Sequence, residues 1–164
     1  MLAQITPTNA DLEADPSVLA FTRLLRAHAS TTRLLSAELL ADHGLTINAY
    51  EALLRISWED GQRMKRVDLS RRLLLTPSGI TRLLDGLERA ELVEAVSCPT
   101  DRRVSYAQLT DAGRERLATA SEAHIASIRE LFEQHLTAAE VETLAAALGK
   151  LPSVAADESP CTPP

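Results

Sequence analysis

The stretch VDLSRRLLLTPSGITRLLDGLERAELV, Val67 to Val93, carries two helical signals with almost nothing between them. Val67 to Leu75 reads as a short helix. Thr76-Pro77-Ser78 then restarts the chain as N-cap, N1 and N2 of a second one. A threonine hydroxyl accepts from an unpaired first-turn N–H, and proline's missing N–H costs nothing at that position. Ile80, Leu83, Leu84 and Leu87 then recur on one side at the helical period. Two helices joined so tightly must cross at a steep angle. The outline is that of a helix-turn-helix, in which the second helix is free to enter a DNA major groove.

Working outward, LVEAV (92–96) and VSYAQL (104–109) are rich in β-formers and flank a turn containing Pro99 and Asp101. They predict a hairpin with PTDRR near its tip. Upstream, Asp15 as N-cap with Pro16 behind it opens a long helix bearing Phe21, Leu24, Leu25, His28, Leu35 and Leu39, and Gly44 stops it. Thr46 caps a further helix with Ile47, Tyr50, Leu53, Leu54 and Trp58, ended by the turn residues Glu59-Asp60-Gly61. Downstream, Thr110 caps a helix over about 111–135, and Thr137 with Glu140 forms a capping box for the last, which runs to Gly149. The expected fold class is mainly α with a small β-hairpin. The expected organisation is a flexible arm over 1–14, a long helix over 15–44, a DNA-binding unit over 45–110, helices over 111–151 and a disordered tail over 152–164.

Composition agrees with a helical chain. Hydrophobic residues make up 45% of the 164 but aromatic residues only 3%, so the core must be built from Leu, Ala and Val. The two cysteines, Cys98 and Cys161, are too few for a disulfide framework and point to a reducing compartment. No stretch approaches the length of a membrane span, and the first fifteen residues lack a basic and an apolar leader region. A cytoplasmic protein with no membrane partner is expected. The net charge is −6, yet it is unevenly placed. Between Arg63 and Arg116 there are eleven Lys/Arg against eight Asp/Glu, while the remainder holds six against fifteen. A basic middle in an acidic molecule is the asymmetry expected where one face meets phosphate.

Taken together, VDLSRRLLLTPSGITRLLDGLERAELV, PTDRR and the junction QLTDAG (108–113) resemble the MarR (multiple antibiotic resistance regulator) family of bacterial transcription factors. The resemblance covers about residues 45 to 115. It implies a winged helix-turn-helix with N- and C-terminal dimerisation helices, in which 67–73 and 76–89 are the helix pair and the hairpin is the wing. It further implies a homodimer on an inverted-repeat, double-stranded DNA operator, with a recognition helix in the major groove and a wing in the minor groove. Repression relieved by a small, often aromatic or phenolic, ligand is the activity so implied.

The residues suit these roles. Thr76, Ser78, Gly79, Thr81 and Arg82 occupy the first turns of the second helix, where unpaired N–H groups and the helix dipole favour phosphate. Arg82 is the candidate base reader, since a guanidinium can bind guanine O6 and N7 together. Gly79 leaves room for close backbone approach, and Thr76 serves either as cap alone or as cap and contact. Arg102 and Arg103 at the hairpin tip suit a narrow minor groove, where negative potential is focused. The resemblance pairs Asp101 with Arg103 as a brace for the wing, leaving Arg102 to probe. Arg71 and Arg72, with Arg63, Lys65 and Arg66, are candidate phosphate contacts that position without specifying sequence. Two positions depart from the family pattern. Glu91 replaces a glycine that would take a left-handed cap, so a strained helix end is expected. Ala95 stands where an arginine is common in the first wing strand. Both keep alive an alternative, a winged-helix interaction module that has lost DNA binding.

An enzyme is not indicated: there is no glycine-rich phosphate loop, nucleophile elbow or HExxH, and no cofactor is implied. The four histidines show no metal-ligand spacing, so no metal site is expected. Cys98 beside the wing arginines is a candidate redox thiol, because nearby cations favour its thiolate. His28 and Trp58 are candidate lining residues of a small-molecule effector pocket.

Overall fold

The computed structural model describes residues 14–97 and 104–151. A long helix α1 (Pro16–His43) leads to α2 (Ile47–Ser57), a 3-10 turn (Asp60–Gln62) and a short strand β1 (Arg63–Lys65). The helix pair follows as α3 (Arg66–Arg72) and α4 (Pro77–Arg89), then strands β2 (Val93–Ser97) and β3 (Ser105–Leu109), and finally α5 (Asp111–Glu133) and α6 (Ala138–Leu148). The three strands form an antiparallel sheet ordered β1-β3-β2. This is the mainly helical, winged architecture expected, with one strand more than the predicted hairpin. Arg63-Met64-Lys65 is too short and too basic to show a strand period. It pairs with Tyr106 to Gln108 because Met64 buries beneath the sheet while its neighbours face out.

Capping chemistry places the helices. Asp15 accepts from the Ser17 N–H at 2.8 Å, and Gly44 closes α1 at φ +67. Thr46, Thr76 and Thr110 each accept from the N–H three residues on, and Thr137 with Glu140 makes the reciprocal capping box. The core lies between α2, α3, α4 and the sheet, where Leu53, Ile56, Leu69, Leu84 and Leu109 are fully buried. By contrast α1 buries only Leu35 and Leu39, near its end, while Phe21 is 60% exposed.

Both helices of the pair end in the same way. Leu75 N–H donates to Ser70 O and Leu74 N–H to Arg71 O; Leu92 N–H donates to Leu87 O and Glu91 N–H to Glu88 O. These are Schellman ends, which need a left-handed residue, and non-glycine residues supply it: Leu74 at φ +52 and Glu91 at φ +58. Each carries a backbone cost of about 1–2 kcal/mol relative to glycine's freedom there. The strain expected at Glu91 is therefore present, and the helix end keeps the shape a glycine would give it.

At the next corner glycine is obligatory. A Cβ on Gly113 would lie 2.0 Å from the Leu92 carbonyl oxygen, with backbone on the receiving side. Replacing Gly113 with alanine should cost about 3 kcal/mol or more, because neither partner can yield as a side chain would. Urea denaturation followed by circular dichroism checks this, a near wild-type midpoint contradicting it.

The junction of α1, α2 and α5 carries polar groups within an aliphatic core. His124 is buried there, its ring edge-on to Tyr50 with centroids 4.8 Å apart, and the Tyr50 hydroxyl lies 3.2 Å from Ser121 Oγ. Burial holds the His124 imidazole below the usual histidine range, against the opposing pull of the Glu38 carboxylate. The unfolded chain thus binds a proton at a pH where the folded one does not. Stability should therefore fall as pH drops from about 6.5 through the lower folded value, and be fully present above that window. Urea midpoints between pH 8 and 5 should show this slope, and His124→Gln should flatten it.

Candidate nucleic-acid interface

The helix pair is held rigidly before it meets any partner. Ile80, Leu84 and Leu87 of α4 bury against Leu69 of α3 and the core behind it. On the outside, Arg66 at the start of α3 reaches Asp85 at 3.9 Å and Glu88 at 3.8 Å, tying the two helices together. Arg72 lies 3.0 Å from Glu59 and is half-buried, which fixes α3 to the corner after α2. Its guanidinium is thus engaged in bracing, a use the sequence did not reveal because Glu59 lies thirteen residues away.

The first turn of α4 presents hydroxyls to solvent. Thr76 Oγ1 accepts from the Gly79 N–H at 3.1 Å and lies 3.2 Å from Ser78 Oγ, and both side chains are on the exposed end. Thr81 is exposed, with its hydroxyl donating to the Pro77 carbonyl at 2.9 Å. Arg82 is exposed, and among the described residues it has no ion-pair partner. Gly79 has an internal reason to be glycine. A Cβ there would stand 3.2 Å from Thr76 Oγ1, crowding the cap, so the space beside it serves the helix start. Arg71 is 77% exposed and 3.6 Å from Asp68, while Arg63 lies 5.4 Å above the Tyr106 ring. Lys65 is exposed beside it. Cys98, Asp101, Arg102 and Arg103, the hairpin-tip candidates, lie outside the described residues.

Both effector candidates lie at the surface of the single chain. His28 is exposed on α1, and Trp58 is 62% exposed at the end of α2 with the Arg55 guanidinium 5.4 Å from its ring. Among the described residues, the part of α1 that carries His28 is largely exposed. A cleft of about 540 Å³ opens between the end of α1, the α4–β2 corner and the start of α5. Asp42, His43, Glu91, Arg116 and Thr119 are among its lining. Arg116 donates to the His43 carbonyl, and His43 Nε2 is buried without a hydrogen-bond partner. Sequence reasoning missed it because its walls come from three separated segments with no shared spacing. Among the described residues no three His, Cys, Asp or Glu side chains gather as metal ligands do, and no helix is long and apolar enough to cross a membrane.

Comparison with known proteins bears on this geometry. Residues 43–104 match the MarR family model. The chain is 30% identical over 128 residues to the HTH-type transcriptional regulator MhqR of Bacillus subtilis (strain 168), covering 78% of this chain and 86% of that one. Among solved structures it is similar to AbsC, a MarR family transcriptional regulator from Streptomyces coelicolor, at 33% identity and a TM-score of 0.67, over 77% of this chain and 88% of that one. It shares its fold with Sco3205 of the same organism, a MarR family transcriptional regulator solved in complex with DNA. That likeness has a TM-score of 0.75 at 24% identity and covers 87% of this chain and 88% of that one. A capped helix pair, a winged sheet and this likeness over most of its length lead to one conclusion: the chain belongs to the MarR family of DNA-binding transcriptional regulators, a family of regulators and not of enzymes.

Proposed function

We propose that this regulator is a repressor that occupies an inverted-repeat operator as a homodimer and releases it when a small effector binds. The observation that carries the reading is the exposed face of the first two turns of α4, where Ser78 and the unpaired Arg82 follow a capped, positively polarised helix end. In this reading Arg82 reads a guanine, and Ser78, Thr76 and Thr81 offer hydroxyls to phosphate or base edges. Arg71 neutralises a flanking phosphate. Arg102 enters the minor groove, and Asp101 braces Arg103.

The dimer has its own support. Phe21, Leu24 and Leu25 on α1, with Leu144 on α6 and Leu151 just after it, expose apolar surface on the long helices outside the DNA-binding unit. A second copy covers that surface and sets two recognition helices about one DNA turn apart. Effector control then needs a ligand with different affinity for two spacings of those helices. The cleft at the α4–β2 corner joins a long helix to the end of α4, which suits that task. Glu91 keeps the left-handed end of α4, so the substitution of its glycine gives no separate support to an interaction module without DNA binding.

Selection of bound duplexes from a random pool tests the operator, an inverted repeat being expected. On the recovered site Arg82→Ala should cost about 1–3 kcal/mol and relax preference at one base position, read by fluorescence anisotropy. Equal affinity and an unchanged preference would refute the assignment. Replacing Phe21 and Leu25 together with glutamate should give a monomer in sedimentation and abolish high-affinity binding to the two-half-site duplex.

A further inference from the structure

Leu74 carries two costs that nothing among the described residues offsets. It closes α3 with a left-handed backbone at φ +52, and its side chain is 90% exposed. Glycine or asparagine would suit that backbone, and a polar group would suit that exposure. Leucine suits neither. Nor does it stand alone. Val67 and Arg71, four residues apart, share an outer side of α3, and both are exposed. Leu74 follows three residues later and lies two residues before the Thr76 cap of α4. Read along the chain, these exposed residues run apolar, cationic, apolar, with the 77%-exposed Arg71 side chain 3.6 Å from Asp68. A nucleic-acid backbone offers the matching series, charged phosphates separated by apolar faces of deoxyribose.

We infer that Val67, Arg71 and Leu74 form a strip that lies along the DNA backbone beside the recognition helix, with Leu74 against deoxyribose and Arg71 against the adjoining phosphate. This rests on α3 and α4 being the DNA-facing motif of the proposed function. Continuity with the first turn of α4, and the sign of the charge, choose DNA as the occupant. A sugar contact reads no base and releases no counterion. Leu74 therefore adds affinity equally on all sequences and leaves the salt dependence alone. Its backbone strain is kept for binding, against the interest of folding.

Leu74→Gly and Leu74→Asn both suit a left-handed backbone, so each should melt at or above the wild-type temperature by circular dichroism. Binding is then measured by anisotropy on the selected operator and on a scrambled duplex across a salt series, with Arg82→Ala in parallel. Both Leu74 variants should lose about five- to tenfold in affinity on both duplexes, with the slope of log K against log salt unchanged. Wild-type affinity in both variants would overturn the inference, while a lost base preference in Arg82→Ala would show the wider reading still standing. A changed salt slope would also overturn it, since Leu74 would then be acting through the placement of a cation. A wild-type protein with no preference for the operator would remove the wider reading and this inference together.

Discussion

The approach of Gly113 to the Leu92 carbonyl is the constraint on which the rest of the molecule depends. That oxygen accepts the Thr110 N–H at 3.2 Å, and the Thr110 hydroxyl donates to the Glu91 carbonyl at 2.6 Å while accepting the Gly113 N–H at 2.9 Å. One residue, Thr110, thus caps α5 and grips the chain just past the end of α4. Two helices that belong to different parts of the molecule are joined by four backbone groups and one hydroxyl. Because the space for even a methyl group is missing, the joint has little freedom to flex. The start of α5 and the end of α4 are thus packed as one piece.

The contact of α5 with α2 is of a different kind. Tyr50, Ser121 and His124 bring polar atoms into a junction otherwise built from leucine and alanine, and one Glu38 carboxylate oxygen is buried there without a partner. Such groups depend on a partner or a protonation state, as an aliphatic contact of the same area does not. Arg114 of α5 adds a further tie, donating to Gln62 at 2.9 Å.

Most of the helical framework was legible in the sequence because caps and stops are local. Asp15-Pro16, Thr46, Thr76-Pro77, Thr110 and the Thr137–Glu140 box each set a helix start within four residues. Glu91 was legible too, since a missing glycine at a left-handed position is a local conflict. What was hidden depends on distance. The strand at Arg63 to Lys65 exists only because β3 lies beside it, and Arg72 is engaged by Glu59 only once α3 has folded back. Leu74 gave no warning, since three successive leucines read as ordinary helix. The exposure of His28 and Trp58 was not legible either, because an aromatic or imidazole ring on a helical period looks buried.

The position of Trp58 has a consequence for how this protein is studied. It is the chain's single tryptophan, already largely in water in the folded state, with a guanidinium over its ring. Its emission should change little when the core comes apart, so fluorescence is nearly blind to unfolding. The same exposure makes the indole a built-in reporter for anything that settles on the end of α2. A shift of its emission toward the blue would register an arriving surface, with the fold left intact.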